Sequence, residues 1–362
     1  MRYWTTIALG MCGLTMLAAQ GQQPPKGPTL PPVNPALAKL DITIAELDGP
    51  GFAIAYGAEA DLLVVACDKG TIQAYSKDAV AAFKGGKGTP TTWKGHGEGP
   101  AGTPSAVRTV RWHGGATMVS VGADKKIHFW KMPEGKIAQT AIADFRVRAA
   151  DLSTDGKTFA AGGESDVIQL FDAATGKPTT KLADNMDWTL SLAFSADGKQ
   201  LLSADNLGVV RLWEVPSGKK LATLPAPPMP APKTPPEPIA VTCVAFGPDP
   251  KSALLGNAEG LIQVINLGDG KIVRTLTGHT GPITGFALHP TGTVLASVSK
   301  DRTVKLWNPA APQPAVQALK SLDGHGAWIE GVVFIDQATK LATVGADRTV
   351  RIWDLAEPPK KK

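Results

Sequence analysis

His279, Ser297 and Asp301 are the residue types of a nucleophilic hydrolase: a serine, a histidine to take its proton, and a carboxylate to orient the ring. Trp307 follows them at a fixed distance. The same quartet of types returns as His325, Thr343, Asp347 and Trp353, and in both sets the offsets from the histidine are 18, 22 and 28 residues. A third set, His96, Ser120, Asp124 and Trp130, carries six extra residues after its histidine. This repetition argues against catalysis. An enzyme seldom holds three triads in one small domain, whereas a repeating fold uses a recurring polar group to fix its loops. The expectation is that no residue is catalytic and that the quartets are structural.

Other chemistries find less to draw on. There is no G-x-x-x-x-G-K-[ST], no G-x-S-x-G and no H-E-x-x-H. Of the six histidines, three belong to the quartets and the others, His113, His128 and His289, are scattered, so no metal site is expected. Cys67 and Cys243 lie in apolar, strand-like runs and are expected as small buried hydrophobes, while Cys12 sits in the N-terminal apolar run. No cofactor is implied.

The elements that must position the quartets form a repeat. An apolar strand, a turn, a second strand ending in small residues, a polar turn and a third strand ending in a large side chain occur seven times. The third strands end at Tyr75, Trp130, Phe171, Trp213, Ile265, Trp307 and Trp353, spaced by 55, 41, 42, 52, 42 and 46 residues. The two long intervals contain a Gly-rich insertion around Lys84 to Pro104 and a Pro-rich one from Pro225 to Pro238. Asp155-Gly156, Asp197-Gly198 and Thr291-Gly292 read as hairpin turns. No segment sustains a 3.6-residue period, so the bulk is predicted as antiparallel β.

With Gly278-His279, Gly324-His325, Gly95-His96 and Trp353-Asp354 in place, residues 40–357 resemble the WD40-repeat family. The resemblance implies an all-β, seven-bladed propeller in which histidine, serine or threonine, aspartate and tryptophan are linked by hydrogen bonds. Lys69, Ser165, Leu207 and Glu259 stand at the aspartate position of the other blades, so those quartets are expected to be partial or absent. The seventh unit ends shortly after Trp353 with three strands, and Leu40 to Leu47 alternates as an edge strand should, so it is predicted to complete blade seven. The resemblance also implies a top face that binds a protein or peptide. Trp188, Trp328, Arg146 and Pro282 share one slot just before the first strand, and Arg302 and Arg348, with Lys125 and Lys300, add a cationic rim. The expected function is a non-enzymatic interaction scaffold. The alternative is a propeller enzyme, or a small-molecule or sugar binder, using the central channel.

Composition sets the remaining bounds. The chain has 362 residues, 43% hydrophobic, and Lys+Arg 37 against Asp+Glu 32. With three of those lysines in a basic tail at 358–362, the remainder is near neutral and nucleic acid is not an expected partner. Residues 1–21, with Arg2 and an apolar run from Ile7 to Ala19, read as a signal peptide, and 22–39 as a Pro/Gly-rich linker. These features predict an exported, periplasmic or secreted monomer with no membrane span in the mature chain, the alternative being an uncleaved, tilted N-terminal anchor.

Overall fold

The alternating apolar runs become seven antiparallel sheets in the computed structural model, which describes residues 30–357 apart from 86–87, 98–104, 113–116, 185–186, 225–238 and 313–314. The predicted signal peptide (1–21), the linker up to residue 29, the Pro-rich run 225–238 and the tail 358–362 lie outside the described residues.

Blade six shows how one repeat is built. Ile283–Leu288, Leu295–Ser299, Val304–Trp307 and Lys320–Leu322 run outward from the axis in that order. Leu295–Ser299 is buried at every residue because a neighbouring sheet covers each face, which is why the middle strands are almost continuously apolar. Outer strands such as Lys136–Ile142 face solvent on most residues and are accordingly mixed.

The apolar interior is divided into seven clusters, and each lies between two adjacent blades. Ile168, Leu170, Leu192, Leu201 and Trp213, for example, join blades three and four. The first strand of every blade touches the first strand of the next, and that of blade seven touches that of blade one, so the ring is closed. Stability is spread over these interfaces, so a blade does not need a full polar quartet to keep its place.

The closing strand is Lys39–Ile44, which pairs antiparallel with Val350–Asp354 through Ile42 opposite Ile352 and Ile44 opposite Val350. Part of the expected linker is also tied down. The Asn34 amide donates to the Leu355 carbonyl at 2.9 Å, Val33 bridges Ala356, and Ala38 is buried, because the last strand leaves backbone groups that need partners.

Two departures from the expected sheet plan stand out. Lys77–Ala82 is a short α-helix, capped by the Ser76 hydroxyl accepting from the Ala79 amide at 3.2 Å, and it presents Val80 toward the interface of blades seven and one. Six residues are too few to show a helical period. The Gly-rich insertion accordingly begins earlier than expected, and it contains the outer strand of blade one, Thr91–Lys94. Ala315–Val316 adds a fifth, parallel strand to blade five from the long loop of blade six.

One irregularity recurs in all seven blades. The pairing of the first strand with the second shifts by one residue at its start, leaving Phe52, Arg108, Arg148, Leu190, Thr242, Thr284 and Glu330 as the extra residues. A bulge re-aims the side chain it carries. Here all seven residues line the mouth of the central channel.

Candidate partner-binding face

The three complete quartets are hydrogen-bonded chains. In blade six the Trp307 indole donates to Ser297 Oγ at 2.8 Å, Ser297 meets His279 Nε2 at 2.7 Å, and His279 Nδ1 meets Asp301 at 2.7 Å. Blade seven repeats this with Trp353, Thr343, His325 and Asp347 at 3.0, 2.9 and 2.9 Å. Blade two does so with Trp130, Ser120, His96 and Asp124 at 2.8, 2.8 and 3.0 Å. The serine and threonine oxygens are fully buried and already engaged, so no substrate carbonyl can reach them. What the arrangement does is tie the loop before the first strand to the turn between the second and third.

Burial pushes the Asp301 carboxyl up, but hydrogen bonds from His279, Thr303 and the Thr280 amide outweigh it and hold the group well below the ordinary carboxylate range. Asp347 is held down in the same way by His325, the Gly326 amide and Thr349. A folded-state pKa below the unfolded one gives stabilisation that is complete above about pH 5 and is lost as the pH falls through the acid range. The double variant Asp301→Asn/Asp347→Asn is therefore expected to start less stable at neutral pH and to lose less between about pH 5 and pH 2 than wild type. Thermal unfolding across that range checks this, and parallel curves would refute it.

The other blades substitute their own polar groups. Blade four keeps the Trp213 indole to Ser203 bond at 2.8 Å and adds a buried Asp205–Arg211 ion pair at 2.7 Å. In blade five Asn257 Oδ1 accepts from the amides of Glu259 and Leu261 at 3.0 and 2.9 Å. Ser165 accepts from the Val167 amide in blade three. Cys67 and Cys243 are free and buried, and burial pushes both thiols up to about 12.

The slot before the first strand is held identically in every blade. The carbonyls of Pro50, Ala106, Arg146, Trp188, Ala240, Pro282 and Trp328 each accept a backbone amide from the turn after the second strand, at 2.8 to 3.0 Å. Trp188 and Trp328 consequently stand on one face, 44% and 52% exposed. Each presents one ring face to a cation of the preceding blade. The Arg148 guanidinium lies 4.6 Å from the Trp188 ring, and the Lys300 ammonium 4.5 Å from Trp328. Arg108 lies 4.5 Å over Phe52. Arg146 is exposed at the channel mouth, and Arg302 is exposed on the turn of blade six. Arg348 is exposed, and its Nε and Nη2 donate to the Leu47 carbonyl at 3.2 and 3.0 Å, so its head group also braces ring closure.

Sequence reasoning missed Phe52, Arg108, Arg148 and Glu330. They stand two residues after the slot that holds Arg146 and Trp328, and only the bulge turns them into the channel. The channel holds a cavity of about 860 Å³. Arg111 pairs with Asp151 at 3.1 Å inside it, and Arg148 pairs with Glu164 at 2.8 Å near its mouth. Burial pushes the Glu330 carboxyl up, against the opposing pull of Lys300 and Arg108.

One expectation about histidines is corrected here. His128 does not stand apart: the third strand of blade two places it against His96, with ring centroids 4.5 Å apart, and beside Asp124. Hairpin pairing joins residues that linear spacing keeps separate.

A family model described as WD domain, G-beta repeat matches residues 89–131, 176–214, 270–308 and 316–354. Among similar proteins are Periodic tryptophan protein 2 of Arabidopsis thaliana, 28% identical over 49% of this chain and 19% of that protein, and THO complex subunit 3 of Arabidopsis thaliana, 23% identical over 53% and 57%. WD repeat-containing protein 82 of Drosophila melanogaster is 29% identical over 54% of this chain and 60% of that protein. The aligned regions span between 19% and 60% of these relatives' own lengths. The relatives are nuclear and cytoplasmic proteins, a finding that overturns the expectation of an exported, periplasmic or secreted chain. The apolar run behind that expectation lies outside the described residues.

Proposed function

This chain belongs to the WD40-repeat family, and on that premise we propose that it is a non-enzymatic interaction scaffold whose top face binds a protein or peptide. The observation that carries this reading is the placement of two half-exposed tryptophans, Trp188 and Trp328, in one slot of a rigid ring. Large aromatics on a surface that needs no reordering bind at low entropic cost. Arg146 and Arg302 extend the same surface. A similar protein is named as a complex subunit, which agrees with this role. Asp151 and Glu164 are each held by an arginine, which takes from the channel the free carboxylate pair that a hydrolytic reading needs.

Proteins retained by the immobilised full chain from its own cell extract, and identified by mass spectrometry, are expected to include a partner that is lost with Trp188→Ala or Trp328→Ala. The affinity loss should reach about 30-fold for either change. The unfolding free energy should move by no more than about 1 kcal/mol, since each ring contributes little beyond its cation contact. Retention of the same proteins by wild type and both variants would count against the reading.

A further inference from the structure

We propose that blade two is a binding site for a first-row divalent transition-metal ion, Zn2+ being the fitting example, with His96, Asp124 and His128 as ligands. The position two residues before the end of the third strand holds Gln73, His128, Gln169, Arg211, Gln263, Lys305 and Arg351 in successive blades. Only blade two places an imidazole there. In blades six and seven the same histidine–aspartate pair is present, but Lys305 and Arg351 occupy the third place and supply no lone pair.

The donors are neighbours that a closing shift of about 1 Å would bring to the spacing of a tetrahedral site. One ligand atom from each of His96, Asp124 and His128 lies within 4.8 Å of the others. His96 and His128 are 5% and 4% exposed. Two polar atoms of this group are buried with no hydrogen-bond partner, His128 Nε2 and Asp124 Oδ2. Seven buried side-chain atoms stand without a partner among the described residues, and this group is the place where two of them fall together, on a histidine and a carboxylate. The Gly95 carbonyl acts on the His128 ring but is outside hydrogen-bond geometry with Nε2.

His128 Nδ1 lies 2.8 Å from Thr140 Oγ1. With Nδ1–H donating to Thr140, Nε2 carries the lone pair, and the ring is fixed by an outer hydrogen bond as metal-bound histidines are. Two imidazole nitrogens and a carboxylate oxygen, with water as a fourth ligand, form a donor set that suits Zn2+ and excludes Mg2+ and Ca2+, which prefer all-oxygen sites.

The proton balance closes within His96. In the metal-free quartet its Nδ1–H donates to Asp124 and its Nε2 accepts from Ser120. When the ion binds, Nδ1 gives its lone pair to the metal and the ring proton resides on Nε2, which then donates to Ser120 Oγ. Ser120 Oγ then accepts from both His96 and the Trp130 indole, so the ring proton stays within the site, at the cost of the bond that the Ser120 hydroxyl had donated to His96.

The test uses the full, untagged chain, stripped of metal with a chelator and titrated with Co2+ by visible absorption, then with Zn2+ in competition. The expected result is a tetrahedral Co2+ spectrum saturating at one equivalent and displaced by Zn2+. His128→Gln should weaken binding by at least about 100-fold. Its metal-free unfolding temperature should match wild type, since glutamine fills the same position in blades one, three and five, and Zn2+ should raise the unfolding temperature of wild type only. No tetrahedral spectrum would overturn the proposal. So would equal titrations of wild type and His128→Gln, which would place the ion at other groups such as His113.

Discussion

A chain lacking residues 39–47 is expected to lose most of its stability, far more than one lacking residues 30–37. Ile42, Ile44 and Leu47 are 6%, 0% and 0% exposed, and they fill the interface of blades seven and one. Three fully buried aliphatic side chains contribute roughly 5 to 9 kcal/mol, which is comparable with the net stability of a whole domain. The deletion also removes the Leu47 amide to Arg348 carbonyl bond at 3.1 Å and leaves the Arg348 guanidinium without its carbonyl. Val350–Asp354 would become an open edge, free to pair with other chains. Residues 30–37 hold on through few contacts, among them the Asn34 amide to Leu355 carbonyl bond, and bury little. Circular-dichroism melts of the two deletions at matched concentration separate these cases. Equal melting temperatures would mean that closure does not depend on the N-terminal strand.

The closure could be read from the sequence because Leu40 to Leu47 precedes the first blade and alternates as an edge strand should, and the pairing of Lys39–Ile44 with Val350–Asp354 follows that pattern. The quartets of blades six and seven were legible for a similar reason: buried hydrogen-bonded chains fix their spacing, and six extra residues did not disguise blade two. What stayed hidden depends on geometry that no spacing encodes. Arg108 and Arg148 reach the channel mouth only because one extra residue is inserted at each first strand. His128 meets His96 across a hairpin. Ala315–Val316 is too short to carry a period, and it pairs with a blade that precedes it in the chain. Arg348 finds Leu47 only because the ring closes. In blade four the expected aspartate position is held by Leu207, and the carboxylate that does its work, Asp205, lies two residues earlier, so a comparison by position recorded a loss where the fold made a replacement.

That replacement supports the other large expected effect: Asp205→Ala should cost about 3 to 5 kcal/mol, more than the roughly 1 to 3 expected for Asp301→Ala in blade six. Asp205 and Arg211 are 1% and 3% exposed. Asp205 Oδ2 accepts from Arg211 Nη1 at 2.7 Å, while Oδ1 accepts from the amides of Leu207 and Val209 at 3.1 and 2.9 Å. Removing the carboxylate strands a buried guanidinium and uncaps the turn together. Asp184, with its Oδ2 3.9 Å from Arg211 Nε and about half exposed, is too distant and too well solvated to take over. Blade five supplies a neutral version of the same construction, with Asn257 capping its turn and Gln263 two residues before the strand end, as Arg211 is in blade four. The double variant Asp205→Asn/Arg211→Gln copies that arrangement and keeps the cap. It should therefore recover to within about 1 to 2 kcal/mol of wild type, because a buried pair replaced whole costs far less than a pair broken. Urea denaturation of the three proteins measures this directly. A double variant no more stable than Asp205→Ala would show that the cap and the packing, and not the stranded charge, set the cost.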